Sequence, residues 1–135
     1  MEQDFKVEVK LSVEVKNKEV LAHLDFKNKS ENSILLNKQV MYYDGVVRNN
    51  YFEIMDIKGE EVDYLGVMAN CTRTPDEYIQ LGPGETINST IPLDKFYELK
   101  EGGKYKVQYC AFNPSFKDEN WGLMEMESNK VKISY

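Results

Sequence analysis

Val7-Glu-Val-Lys-Leu-Ser-Val-Glu-Val-Lys-Asn-Lys-Glu-Val-Leu-Ala-His-Leu-Asp-Phe26 decides the fold class. Val7, Val9, Leu11, Val13 and Val15 alternate with Glu8, Lys10, Ser12, Glu14 and Lys16. Successive strand side chains point to opposite faces, so this pattern has one greasy face and one wet face. A helix would scatter the same valines around its circumference. Asn17-Lys18 breaks the alternation as a tight turn, and Val20, Ala22, Leu24 and Phe26 resume it with His23 and Asp25 on the other side. Two alternating runs around a short polar link predict an antiparallel hairpin.

The same period continues outward from this hairpin. A polar turn at 28–32 leads to apolar runs at 33–40, 51–57 and 61–68, the last two separated by Lys58-Gly-Glu60. A short run at 78–81 stops at Gly82-Pro-Gly-Glu85. Residues 86–91 alternate, with Ile87 and Ile91 assigned inward. Residues 93–98 read as a short helical turn, ended by Gly102-Gly103. Tyr105, Val107, Tyr109 and Ala111 alternate again, and Val131, Ile133 and Tyr135 close the chain in the same style. About eight short strands without β-α-β alternation predict an all-β fold, a two-sheet antiparallel sandwich over residues 1–135 as one domain. Gly102-Gly-Lys-Tyr-Lys-Val-Gln-Tyr109 places Tyr105 near a strand start after a glycine corner. That is the tyrosine-corner arrangement of immunoglobulin-like sandwiches, and it selects that variety.

Composition narrows the function classes. The chain has 135 residues, with 17 Lys plus Arg against 23 Asp plus Glu, a net charge of −6. That balance argues against sequence-independent nucleic-acid binding and against docking on an anionic membrane. The longest apolar runs are far too short to span a bilayer, and Met1 to Lys10 is too charged for a signal peptide. A cytosolic protein and a mature secreted domain both fit. Two cysteines, Cys71 and Cys110, are too few for a disulfide scaffold and read first as free thiols, with one bridge open to them. The sequons at Asn28, Asn70 and Asn88 read as chance matches.

One histidine leaves little room for His-based catalysis or zinc, and no catalytic residue, metal ligand or cofactor is assigned. His23 reads as a solvated outward strand residue. Cys71 sits near Arg73 but reads as a passive loop cysteine. Asp56, Glu60, Glu61 and Asp63 lack the spacing of a calcium loop and read as a hairpin tip.

Two segments are candidates for recognition. Residues 112–128 are long for a link between strands and carry the only tryptophan, Trp121, with Phe116, Met124 and Met126. Such residues either anchor an interface, or else Trp121 folds back over the open end of the sandwich and Leu123 to Met126 begin the last strand. The second is the tyrosine-bearing loop Met41-Tyr-Tyr-Asp-Gly-Val-Val-Arg-Asn-Asn-Tyr51, where Tyr42 and Tyr43 suit a binding surface.

The order of features from Asn50 carries a family resemblance. Phe52-Glu-Ile is followed by Asp56-Ile-Lys-Gly-Glu-Glu-Val-Asp-Tyr-Leu-Gly66 and then Thr74-Pro-Asp-Glu-Tyr-Ile-Gln-Leu-Gly-Pro-Gly-Glu85. Ile91-Pro-Leu-Asp-Lys-Phe-Tyr-Glu-Leu, Gly103-Lys-Tyr-Lys-Val-Gln-Tyr109 and Ser128-Asn-Lys-Val-Lys-Ile133 complete it. This resembles the non-catalytic β-sandwich domain beside the catalytic domain of deuterolysin-like and peptidyl-lysine metalloendopeptidases. The resemblance implies a fold and no active site, since the His-Glu-x-x-His zinc helix of those peptidases is missing. The expected role is a protein-recognition or accessory module, acting through end loops or a strand edge on an unidentified protein partner. The alternatives are an acidic inhibitor or immunity-type protein directed at a peptidase or other toxic enzyme, and a carbohydrate-binding module.

Overall fold

The computed structural model describes residues 7–69, 74–114 and 123–135. The opening alternation forms strands β1 (Val7–Lys16) and β2 (Glu19–Asn28), paired antiparallel with Lys16 opposite Glu19. Asn17 and Lys18 fill the two-residue turn at φ 50° and 65°. Two left-handed residues match the twist of the flanking strands, which is why so short a link suffices.

The remaining strands are β3 (Ile34–Asn37), β4 (Phe52–Asp56), β5 (Tyr78–Leu81), β6 (Thr86–Pro92), β7 (Lys104–Pro114), β8 (Leu123–Glu127) and β9 (Val131–Ser134). All ladder pairings are antiparallel. One sheet has the order β1-β2-β6. The other is centred on β7, with β4 along its first half and β8 and β9 also paired to it. The β3-β5 pair joins β7 through Asn113. Its Oδ1 accepts from Asn37 N–H at 2.7 Å and its Nδ2 donates to the Leu35 carbonyl at 3.0 Å. An inward amide thus stands in for two ladder bonds.

The two inner walls meet in one core. Val9, Leu11, Val20, Ala22, Leu24, Phe26 and Ile91 come from the first sheet; Phe52, Ile54, Tyr105, Val107, Tyr109, Ala111, Met126 and Ile133 come from the second. This is the all-β antiparallel sandwich expected from the alternation, with the tyrosine corner that the sequence placed at Tyr105. Tyr105 closes the corner: its hydroxyl accepts the Lys100 N–H at 2.9 Å. The ring lies over Gly103, where an added Cβ would come within 2.6 Å of Tyr105 Oη. Gly103 is therefore fixed by the tyrosine that follows it.

Each lateral edge of the first sheet is met by a neighbouring segment at one point. Asn129 takes the Leu11 N–H on Oδ1 at 2.8 Å and donates to the Leu11 carbonyl from Nδ2 at 2.9 Å. On the other side Ser89 of β6 donates its hydroxyl to the Met41 carbonyl. At those points the edge offers other chains no template for strand pairing.

Three expectations need correction. The run at 61–68 is not a ladder strand; it is extended but meets neighbours only at the isolated bridges Met55–Glu61 and Tyr64–Tyr97. The helical turn α1 spans only Leu93–Phe96, because Tyr97 returns to extended backbone at φ −132°. Residues 123–127 form a strand of their own, β8, rather than the start of the last one.

Candidate functional site

The tyrosine-rich loop is turned inside out relative to the sequence reading. Tyr42 is fully buried, stacked on Phe52 at 5.6 Å with an interplanar angle of 3°. Its hydroxyl donates to the Asn49 carbonyl at 2.8 Å and accepts the Tyr51 N–H at 2.6 Å. Tyr97, the residue after α1, and Tyr109 of β7 work the same way. The Tyr97 hydroxyl meets Asn50 Oδ1 and accepts the Phe52 N–H, and the Tyr109 hydroxyl donates to the Val40 carbonyl. Three phenols thus hold residues 40–52 from within. Burial pushes all three well above the ordinary phenol range, so each remains a neutral donor. Tyr42 is therefore scaffold and offers no surface to a partner.

Met126 is corrected on the same ground. It faces inward opposite Ala111 and is fully buried. Met124 is half-buried against the core. Tyr43 is half-buried, with Lys38 Nζ 5.5 Å from its ring centre. Phe116 and Trp121 lie outside the described residues, as does Cys71.

What the loop scaffold does present is apolar side chains that the sequence reading missed. Residues 61–69 run back alongside β4, with Val62 N–H donating to the Ile54 carbonyl. Val62 and Tyr64 turn inward, so Leu65 and Val67 must turn out. Leu65, Val67 and Met68 are 61%, 62% and 72% exposed, and Val46 is exposed on the neighbouring loop. The parity of the alternation was the available signal for Leu65 and Val67; Met68 has the inward parity of Val62 and Tyr64 and is exposed because the alternation ends before it.

This ridge is held firmly. The Tyr64 hydroxyl donates to the Val67 carbonyl at 2.6 Å, and its ring covers Gly66, where a Cβ would come within 2.6 Å of Cζ. Leu65 N–H donates to the Phe96 carbonyl, and Glu98 N–H to the Asp63 carbonyl. Ala69 N–H donates to the Arg48 carbonyl, while the Ala69 carbonyl accepts from Gln39 Nε2 and Asn49 Nδ2. Exposed apolar residues on a well-bonded segment lose little entropy on docking.

The titratable groups assemble less. His23 lies on the open outer face of the first sheet, its Nδ1 3.0 Å from Thr90 Oγ1 and its Nε2 3.4 Å from Glu14 Oε1. No walls enclose that line of groups. The Asp56 carboxylate accepts the N–H groups of Lys58 and Glu60 at 2.8 and 2.9 Å, which makes it a turn-former. Burial, then Glu127, Glu53 and Glu125, push the Cys110 thiol up, away from thiolate chemistry. Among the described residues no three His, Cys, Asp or Glu side chains gather as a metal site. An open groove of about 570 Å³ follows β1, lined by Glu8–Ser12, Asp25 and Asn129, at the edge that Asn129 closes. The described residues contain no helix long and apolar enough to cross a membrane. No protein-family model and no curated protein matches the chain.

Proposed function

We propose that this protein is a non-catalytic recognition module that docks on a protein partner through the ridge of Leu65, Val67 and Met68, flanked by Val46. The observation that carries this reading is the exposure of three large apolar side chains on a segment bonded at both ends and in the middle. Exposed apolar residues concentrated on one loop cluster mark interaction sites more often than scattered ones do. Loops on a rigid sandwich are also where such folds carry recognition. The acidic charge and the metalloendopeptidase resemblance make a peptidase the first partner class to try.

The test places a photo-crosslinking benzoylphenylalanine at Val67 in the full chain, irradiated in native extract. A second probe at Glu14 on the outer face of the first sheet is the control. The expected result is an adduct specific to the Val67 probe. Excess unlabelled protein competes it away, and a Leu65→Ser/Met68→Ser variant of unchanged thermal stability does not. Equal competition by the variant, or the same adducts from both probes, refutes the proposal.

A further inference from the structure

The backbone of the apolar ridge faces two ways. Leu65 N–H donates to the Phe96 carbonyl, the Val67 carbonyl accepts from the Tyr64 hydroxyl, and Ala69 N–H donates to the Arg48 carbonyl. Residues 65, 67 and 69 are thereby tied into the scaffold. The N–H and carbonyl groups of Gly66 and Met68 take no partner among the described residues. Two residues apart is the spacing at which an extended chain offers both groups of each residue to one edge. None of residues 65–69 has a positive φ. The segment therefore has one open main-chain edge, apolar side chains beside it and both flanks fixed. A peptidase takes its substrate in that form, main-chain bonds holding the strand while pockets receive its side chains. A free peptide must be ordered to bind so, and this segment is ordered beforehand.

The same contacts pick out one peptide bond. Attack on a carbonyl needs its oxygen free to enter an oxyanion hole. The Val67 carbonyl is held by Tyr64, whereas the Met68 carbonyl is open. Met68 is also the most exposed of the three ridge side chains, and it is unbranched and adaptable, so it suits a deep apolar pocket. The far side of the Met68–Ala69 bond is fixed. The Ala69 carbonyl accepts from Gln39 Nε2 at 3.2 Å and from Asn49 Nδ2, and Gln39 is itself buried.

We infer that the ridge is a substrate-like inhibitory loop for a serine peptidase with an apolar primary pocket, which Met68 fills. The inference rests on the recognition reading above and deepens it by naming the partner's chemistry. In the complex the peptidase's serine oxygen bonds the Met68 carbonyl carbon and its proton passes to the catalytic histidine. The C–N bond to Ala69 then breaks, the histidine gives that proton to the Ala69 nitrogen, and an ester remains on the serine. An ordinary substrate loses its amine half at this point, and water hydrolyses the ester. Here Ala69 stays in place, held through Arg48, Gln39 and Asn49. Its amine sits beside the ester at high effective concentration and attacks it. The peptide bond is restored, the proton returns through the histidine to the serine oxygen, and the enzyme remains occupied.

Active-site titration of chymotrypsin and subtilisin with the full chain tests it, followed on a small chromogenic substrate and by mass spectrometry. The expected result is activity falling to near zero at an equimolar amount of chain, with the chain recovered largely intact. Met68→Lys, at an exposed position, should weaken inhibition of chymotrypsin about a hundredfold, because an apolar pocket rejects the charge, and should confer inhibition of trypsin. Asn49→Ala should speed cleavage at Met68–Ala69. No inhibition of either enzyme overturns the inference. So does rapid cleavage of this bond by an uninhibited enzyme, or inhibition that Met68→Lys leaves unmoved. A Val67 photo-adduct to a protein without peptidase activity, with neither enzyme inhibited, overturns this inference alone and leaves the recognition reading standing.

Discussion

Tyr42→Phe removes one buried oxygen and nothing else. That oxygen serves two backbone groups, the Asn49 carbonyl and the Tyr51 N–H, both partly buried. Each orphaned group costs about 1–3 kcal/mol when fully buried, and partial exposure puts these at the lower end. The expected loss is about 2–3 kcal/mol. For a domain of this size each kcal/mol moves the melting temperature by roughly 3–5 °C, so the midpoint falls by about 10 °C. Urea unfolding followed by far-UV circular dichroism reads this directly, with the slope unchanged because the same surface is exposed. Tyr43→Phe, one residue along and half-buried, is the internal control and stays within about 0.5 kcal/mol. Equal, small effects at the two positions would refute the argument that the loop is held from inside.

Alkaline titration makes a related prediction. Tyr42, Tyr97 and Tyr109 hold their protons more tightly folded than unfolded. Their stabilisation is complete below the unfolded value of about 10 and is lost as pH rises above it. With three such groups the loss is about 4 kcal/mol per pH unit, and their tyrosinate absorbance should appear only with unfolding. Smooth titration of all nine tyrosines near pH 10 in a still-native protein would contradict this. Asn113→Ala frees the Asn37 N–H and the Leu35 carbonyl and should cost about 2–3 kcal/mol by urea melt. Gly103→Ala drives a methyl against Tyr105 Oη and should cost about 1–3 kcal/mol. Adding Tyr105→Phe should make that cost smaller than the sum of the two single changes.

The alternation of β1 and β2 was legible because period two with one buried face leaves few other solutions, and Tyr105 was legible because its corner is local. Residues 61–69 were not. Their apolar content resembles a strand, but α1 and the 97–98 segment take the neighbouring space, so the segment packs by Val62 and Tyr64 alone. The tyrosines of the 41–51 loop misled for a different reason. Amphipathic side chains suit a binding surface and a hydrogen-bonded interior equally, and only the convergence of Tyr97 and Tyr109 on the same loop decides between them. Neither partner is near in sequence. Asn113 and Asn129 were illegible likewise, since an amide that replaces ladder bonds leaves no periodic trace.

Methionine oxidation tests the central claim, that this loop end is tyrosine scaffold inside and apolar ridge outside. Under dilute peroxide with peptide mass spectrometry, Met68 should oxidise rapidly, while Met41 and Met126, 1% and 0% exposed, should stay protected until the protein unfolds. Met41 or Met126 reacting as fast as Met68 in the native protein would contradict it.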